Sequence, residues 1–289
     1  AGRSTPLHLL GSSAGAWRFA CFAQADPIGA SRRFCQAYSH IRYPKGADAA
    51  LISDISASII NDVFPTDAEL QQVLDNPVVK LNLVVAKARR ISAARHKVLQ
   101  AAALSLAASA NLIHRKHLQY FFQRVLFHLP GTPSPFHHAG ILPTQHVALT
   151  SANLRQAVLA SGSIPLVLNP VENIAGAGAG LYYDGGITDY HFDLPFSSDG
   201  LVLYPHFYPR LTPGWFDKSL PWRRAKQAHL HNVVLLCPSE QWVKSLPFGK
   251  IPDRNDFKLP DNVRINYWQE VIARSEELAQ SLKRGNLVP

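Results

Sequence analysis

The sequence predicts an α/β protein, a three-layer α/β/α sandwich with a mostly parallel central sheet, on three observations. Apolar runs of strand length alternate with longer segments of helical pattern. Several of these runs are apolar throughout, which is typical of strands in a parallel sheet that is covered on both faces. The 289 residues are 47% hydrophobic, which suffices for a large core, and no linker or repeat divides them. We therefore expect one domain over residues 1–289.

The N-terminal part of the chain provides strand, turn and helix signals in close succession. Asp26 and Pro27 end the first helical segment, because proline cannot continue a helix. Thr66 and Glu69 have the spacing of a capping box, which starts another helix. The predicted elements are a strand at PLHLL (6–10), helices at AGAWRFACFAQA (14–25), near 47–62 and at TDAELQQVLDN (66–76), and a strand at VVKLNLVV (78–85).

Residues 87–130 predict a helical region, which we interpret as a cap or lid. The pattern from Lys87 to Leu129 is helical and mixes bases with bulky apolar residues. Its most apolar stretch, VLQAAALSLAASANLI (98–113), is shorter than the roughly 20 residues needed to cross a bilayer and contains Gln, Ser and Asn. We expect a buried helix there.

The C-terminal part continues the alternation. Ser151 is the expected N-cap of the next helix, since a serine oxygen can accept from the first free amides. The predicted elements are a strand at HVALT (146–150), a helix at SANLRQAVLAS (151–161), a short strand in LYYDGG (181–186), buried parallel strands in GLVLYP (200–205) and NVVLLCP (232–238), and a closing helix at YWQEVIARSEELAQSL (267–282).

Gly11, Ser13 and Gly15 form the pattern G-x-S-x-G between the first strand and the first helix. This pattern is typical of a nucleophilic serine on a sharp strand-to-helix turn, where glycines allow strand and helix to approach closely. The helix N-terminus then favours the negative charge that develops during attack. The alternative is a serine with only a structural role in the turn, because so short a pattern also occurs by chance.

A nucleophilic serine needs a base. In an α/β-hydrolase the elbow follows several strands, and the acid and histidine come later. Only about ten residues precede this elbow, which disfavours a Ser-His-Asp esterase but leaves it open. His191 is the best candidate if a histidine assists.

A second segment carries a family resemblance. LRQAVLASGSIPLVLNPVENIAGAGAGLYYDGGITDYHFDLPF (154–196) has a helix ending in ASGSIP, a variable loop, and a strand ending in Asp-Gly-Gly. Together with GSSAG (11–15), in this order, it resembles the two signatures of the patatin-like phospholipase family. The resemblance covers roughly 7–24 and 146–196.

The resemblance implies a Ser-Asp dyad, with Ser13 as nucleophile and Asp184 as the base that takes its proton. Gly185 and Gly186 would let the aspartate loop pack beneath the elbow. It also implies a lipid acyl hydrolase that cleaves carboxylic esters, such as phospholipid acyl chains, through an acyl-enzyme and without a metal or organic cofactor. The alternative for Asp184 is an ordinary turn aspartate.

One part of the family's pattern is missing. The backbone N–H of Ala14 can supply one oxyanion donor, but the family's glycine-rich oxyanion loop lies upstream of the elbow, and nothing before Gly11 resembles it. We expect the native chain to have a further N-terminal segment. The alternative is a catalytically impaired module that binds lipid or protein.

The composition bears on partners and location. The chain carries 29 Lys and Arg against 20 Asp and Glu, a net charge of +9, which favours anionic partners such as phospholipid head groups or nucleic acid. The alternative is a basic surface without such a partner. No nucleic-acid-binding module is recognisable, so nucleic acid is not expected as a partner. Three scattered cysteines predict reduced thiols. We expect a cytoplasmic or peripheral membrane protein. The alternative that a leader sequence has been removed is left open.

The basic helical region is the expected membrane contact. Its bases would lie at head groups and its aromatic side chains in the boundary layer, the alternative being a solvated face with core aromatics. The residues are Arg89, Arg90, Arg95, Lys97, Arg115, Lys116 and Arg124 beside Phe121, Phe122 and Phe127.

The remaining motifs predict no ligand. The histidines that lie close in sequence lack the acidic partners of a metal site; they are His114 with His117, His137 with His138, and His229 with His231. The glycine-rich AGAGAG (175–180) has no Gly-Lys-Ser/Thr ending, so a loop is expected there.

Overall fold

Strand β2 (Val79–Ala88) lies at the centre of a six-stranded sheet in the computed structural model, which describes residues 4–131, 134–136, 140–196 and 200–285. The other strands of the sheet are β1 (Leu7–Ser12), β3 (Phe122–His128), β4 (Thr144–Ala148), β5 (Val171–Glu172) and β6 (Leu181–Asp184). The helices are α1 (Ala14–Phe22), α2 (Pro27–Ser39), α3 (Ala49–Val63), α4 (Asp67–Leu74), α5 (Lys97–Ile113), α6 (Leu154–Ser161), α7 (Gly186–Asp189), α8 (Glu240–Ser245) and α9 (Asp261–Lys283).

Both edges of β2 are occupied. Strand β3 pairs antiparallel with one edge, and β4 pairs parallel with β3. On the other edge, β1 runs parallel beside residues 79–84 and β6 runs antiparallel beside residues 85–87. Two strands of opposite direction on one edge bring their C-terminal ends together, at Ser12 and Asp184.

The sheet is mixed. The pairings β1 with β2 and β3 with β4 are parallel, whereas β2 with β3, β2 with β6 and β5 with β6 are antiparallel. The predicted α/β class is confirmed, but the expectation of a mostly parallel sheet is confirmed only in part.

Apolar clusters cover both faces of the sheet, because side chains along a strand alternate between its faces. On β2, Leu83 and Val85 pack in the cluster that contains α1 and α6 residues. Val84 and Ala86 belong to other clusters, and that of Ala86 includes Leu104 of α5. Apolar residues of helices therefore contact both faces of the sheet.

The helical interpretation of 87–130 is wrong at both ends, since Lys87 and Ala88 belong to β2. Helix α5 and a 3₁₀ helix (Arg115–Tyr120) lie in this region, but Phe122–His128 forms β3 in the interior of the sheet. A strand buried on both faces lacks the two-residue alternation that would have distinguished it from a helix. A segment paired on both sides cannot serve as a lid.

The basic region is therefore not a single solvated face. Phe122 and Phe127 are core residues, and Arg115 and Arg124 are buried in ion pairs. The Arg124 guanidinium donates from Nε and Nη2 to the two Asp189 carboxylate oxygens, at 2.6 Å each. Since Asp189 ends α7, this pair ties the segment after Asp184 to β3.

Two further predictions need correction. The runs at 200–205 and 232–238 form β7 (Val202–Pro205) and β8 (Val233–Leu236), which pair parallel as predicted, but in a separate two-stranded sheet and only partly buried. Helix α6 has Asn153, not Ser151, as its N-cap residue. The capping box of Thr66 and Glu69 is confirmed.

The Arg124–Asp189 pair yields a stability prediction. Arg124→Met leaves the Asp189 carboxylate buried without its main partner, so we expect the free energy of unfolding to fall by about 3–5 kcal/mol. Lys244→Met is the control, because the exposed pair of Lys244 and Glu240 contributes at most about 0.5 kcal/mol. Urea denaturation measures both, and equal losses would contradict the prediction.

Candidate active site

Ser13 lies in a sharp turn between β1 and α1. Its backbone has φ 53° and ψ −130°, a conformation that residues other than glycine rarely adopt. Such a conformation costs about 1–3 kcal/mol and occurs mostly at functional sites. The turn is held by close packing, because a Cβ on Gly11 would lie 2.6 Å from the Ala16 Cα.

Asp184 is the side chain bonded to Ser13. The Ser13 hydroxyl donates to Asp184 Oδ2 at 2.8 Å, and the Gly186 N–H donates to Asp184 Oδ1 at 2.6 Å. The sheet brings these residues together, since Ser12 lies beside Val84 and Asp184 beside Val85. The two residues are 171 positions apart in the sequence.

Gly185 and Gly15 differ sharply in their surroundings. A Cβ on Gly185 would overlap the Val84 carbonyl, at 2.7 Å from its carbon, and lie 2.9 Å from Ser12 Oγ. The aspartate loop therefore packs directly against β2 and the end of β1. A Cβ on Gly15 would meet nothing within 4 Å, so close packing requires only the first glycine of G-x-S-x-G.

Ser161 is a supporting residue that the sequence analysis did not single out. Its Oγ accepts from the Ser13 N–H at 3.0 Å and donates to the Val84 carbonyl at 2.7 Å. The Ser161 and Ser163 carbonyls accept from the N–H groups of Gly185 and Asp184, at 3.2 and 2.9 Å. The turn after α6 thus holds both partners. The only sequence signal was the ASGSIP motif (160–165).

The environment of Asp184 raises its basicity. The residue is 7% exposed, and burial raises the pKa of its carboxyl from 3.8 to about 6. Hydrogen bonds from Ser13 and Gly186 and the positive charges of Arg254 and Lys218 lower this pKa and limit the rise. A carboxylate with a pKa near 6 is mostly ionised at neutral pH and can accept the serine proton more readily than an exposed one.

The start of α1 provides hydrogen-bond donors. The first amides of a helix have no acceptor within the helix, and Ala14 and Gly15 occupy these positions. The Ser13 N–H is already bonded to Ser161. The Ala14 amide is therefore available to an oxygen atom next to Ser13.

His191 has a different role from the one considered for it. Its Nδ1 accepts from the Thr212 N–H at 2.7 Å, and its ring packs on Tyr190 and His206. Burial lowers its pKa to about 3, so the ring is neutral at physiological pH. In the described part of the chain, the side chain bonded to Ser13 Oγ is a carboxylate and not a histidine.

The sequence also contains the paired histidines and the glycine-rich loop at 175–180. Within the described ranges, no group of three or more His, Cys, Asp or Glu could hold a metal ion. His137 and His138 lie outside the described residues. In the loop, the Ala177 carbonyl accepts from Lys87 and Tyr182, so the loop is bound to the sheet.

Comparison with known proteins places the site within a family. A family model of patatin-like phospholipases matches residues 3–191, a range that contains Ser13, Asp184 and the ASGSIP turn. No curated protein and no solved structure matches the chain. None of the helices in the described ranges is both long and apolar enough to span a membrane.

The contrast between Gly185 and Gly15 is testable. We expect Gly185→Ala to lower the free energy of unfolding by about 1–3 kcal/mol, because the added methyl overlaps the backbone of β2. Gly15→Ala is the matched control. Its methyl meets open space, and alanine suits a helix better than glycine, so no loss is expected. Thermal or urea unfolding measures both, and a tolerated Gly185→Ala would refute the packing argument.

Proposed function

The chain belongs to the patatin-like phospholipase family, and from this we propose that it is a serine hydrolase that cleaves carboxylic esters of lipids with Ser13 and Asp184. The family's members generally hydrolyse lipid esters. The observation that carries the assignment of residues is the 2.8 Å hydrogen bond from Ser13 Oγ to a buried carboxylate.

The proposed reaction begins when Ser13 Oγ attacks the ester carbonyl carbon and its proton passes to Asp184 Oδ2. The Ala14 N–H stabilises the oxyanion that forms. Collapse of the tetrahedral intermediate breaks the ester C–O bond, and the proton on Asp184 goes to the leaving alcohol. Water, deprotonated by Asp184, then attacks the acyl-serine. The bond between the acyl carbon and Ser13 Oγ breaks, the proton on Asp184 returns to Ser13 Oγ, and the fatty acid is released.

The environment of the pair supports this mechanism. The Gly186 N–H holds Asp184 Oδ1, and Ser161 Oγ holds the Ser13 backbone. The reacting atoms are therefore positioned before substrate arrives. The substrate class proposed is phospholipid, with hydrolysis of an acyl ester. These steps require no metal or organic cofactor, since Asp184 supplies the base and the acyl group is held on Ser13.

Loss of either member of the pair is expected to abolish activity. We expect the wild-type protein to be labelled by a fluorophosphonate probe and to release fatty acid from mixed phospholipids, whereas Ser13→Ala does neither. Asp184→Asn cannot accept the proton, so its kcat/KM should fall by about 10²- to 10⁴-fold.

The control for both variants is His191→Asn, which we expect to retain most of the activity because His191 is not bonded to Ser13. Absence of labelling and hydrolysis in the wild-type protein would refute the proposal and favour a lipid- or protein-binding module. Loss of activity in His191→Asn with an intact fold would favour a histidine base.

The pH dependence of activity should follow the ionisation of Asp184. Only the ionised carboxylate accepts the serine proton, so kcat/KM should rise with pH and level off above a midpoint near 6. Lys218→Met removes a charge that lowers the pKa of Asp184 and should move the midpoint to higher pH. Lys226→Met is the control, and a midpoint near 4 in the wild-type enzyme would contradict the prediction.

A further inference from the structure

The outward face of α5 is exposed and largely apolar, and its polar side chains, Ser105 and Ser109, donate to backbone carbonyls of the helix itself. Val98 and Ile113, near its two ends, are 68% and 76% exposed. The whole helix has no charged residue after Lys97. Its exposed large apolar side chains are Val98, Leu99, Leu106, Leu112 and Ile113. A surface helix normally presents polar residues to solvent, so this face requires an explanation.

Polar anchors on the inner face fix this orientation. Gln100 Nε2 donates to the Tyr183 hydroxyl at 2.6 Å, and Asn111 Nδ2 donates to Asp217 Oδ1 at 2.7 Å. Ala103, Leu104 and Ala107 are buried between them. The helix cannot turn its apolar face inward without leaving buried amides unpaired. Because Tyr183 precedes Asp184 on β6, the anchored helix contacts the strand that carries the candidate site.

Two exposed aromatic side chains, Tyr120 and Trp222, lie in segments that contact α5 near its C-terminal end. Tyr120 packs on His117, whose Nδ1 is hydrogen-bonded to the Ala110 carbonyl. Trp222 is 64% exposed, and the neighbouring Arg223 donates to the Leu112 carbonyl. Tyrosine and tryptophan combine an apolar ring with a polar group and are enriched at membrane interfaces.

The part of the sequence that contains α5 is rich in bases, although Arg115 and Arg124 of this part are buried in ion pairs. Residues 76–171 contain ten Lys and Arg and no Asp or Glu, whereas the rest of the chain has one more acidic than basic residue. The net charge of +9 therefore comes from one third of the sequence. Exposed bases next to the two ends of α5 include Arg90, Lys97 and Lys116.

We propose that this surface, made of the exposed α5 side chains with Tyr120 and Trp222, docks the protein onto an anionic lipid bilayer. The apolar side chains enter the boundary of the acyl chains while the bases contact head groups. A second copy of the chain is disfavoured as the occupant, because it would bring two positively charged surfaces together. Binding to a bilayer needs no catalysis, so the proposal is separable from the function of Ser13.

The apolar part is tested by vesicle flotation with protein carrying Ser13→Ala, which prevents hydrolysis. The test variant adds Val98→Gln, Leu106→Gln and Ile113→Gln. The control adds Ile28→Gln, Leu201→Gln and Leu203→Gln, which are equally exposed on other elements. We expect binding to vesicles of phosphatidylcholine mixed with phosphatidylglycerol to weaken at least about tenfold in the test variant and to be unchanged in the control.

The electrostatic part is tested with the same vesicles. Lys97→Gln and Lys116→Gln should each weaken binding about fivefold, and less at high salt because the interaction is screened. Lys258→Gln and Lys283→Gln, at exposed lysines elsewhere, should have little effect. Wild-type binding to vesicles of phosphatidylcholine alone should be weaker than to the mixed vesicles.

Three results would overturn the proposal, provided that circular dichroism shows folded variants. These are no binding of Ser13→Ala protein to the mixed vesicles, equal loss in test and control variants, and a dimer that the test variant dissociates without any vesicle binding. Failure of the hydrolase function would appear instead as absent fluorophosphonate labelling of the wild-type protein while vesicle binding persists.

Discussion

Two strands meet end to end along one edge of β2, and their backbone hydrogen bonds set the distance between Ser13 and Asp184. Strand β1 reaches Val84 from one direction and β6 reaches Val85 from the other. The residue that follows β1 and the residue that ends β6 are therefore neighbours without any long side chain bridging them. The strand pairings bring the two backbones together, and serine and aspartate have short side chains that lose little conformational entropy when they are fixed. The 2.8 Å contact therefore depends mainly on the sheet.

Other elements hold this junction from three sides. Ser161 bonds to both the Ser13 N–H and the Val84 carbonyl, so the turn after α6 is tied to the elbow and to β2. Gly185 allows the aspartate loop to approach Val84 more closely than any side chain would permit. Below the loop, the pair of Arg124 and Asp189 fixes the end of α7 to β3. Strain at Ser13 can persist because its surroundings determine its position.

Local patterns in the sequence predicted much of this arrangement, and non-local contacts account for what they missed. The elbow, the Asp-Gly-Gly turn and the Thr66 capping box depend on residues close in the chain, so their spacing alone indicates them. The contact of Ser161 with Ser13 spans 148 residues, and nothing in either segment reveals it. Strand β3 was missed because it is buried on both faces, which removes the alternation typical of strands. The outward apolar face of α5 was missed because a hydrophobic helix is normally buried.

Burial of Asp184 also contributes to the pH dependence of the protein's stability. The folded state holds the proton up to about pH 6, whereas the unfolded chain releases it near 3.8. The native state therefore binds more protons between these values, and the free energy of unfolding falls as the pH rises through this window. The difference corresponds to about 3 kcal/mol at neutral pH. Asp184 thus destabilises the fold in its ionised form, the state that proton transfer from Ser13 requires, and replacing Asp184 by a neutral residue would remove this cost together with the reactivity.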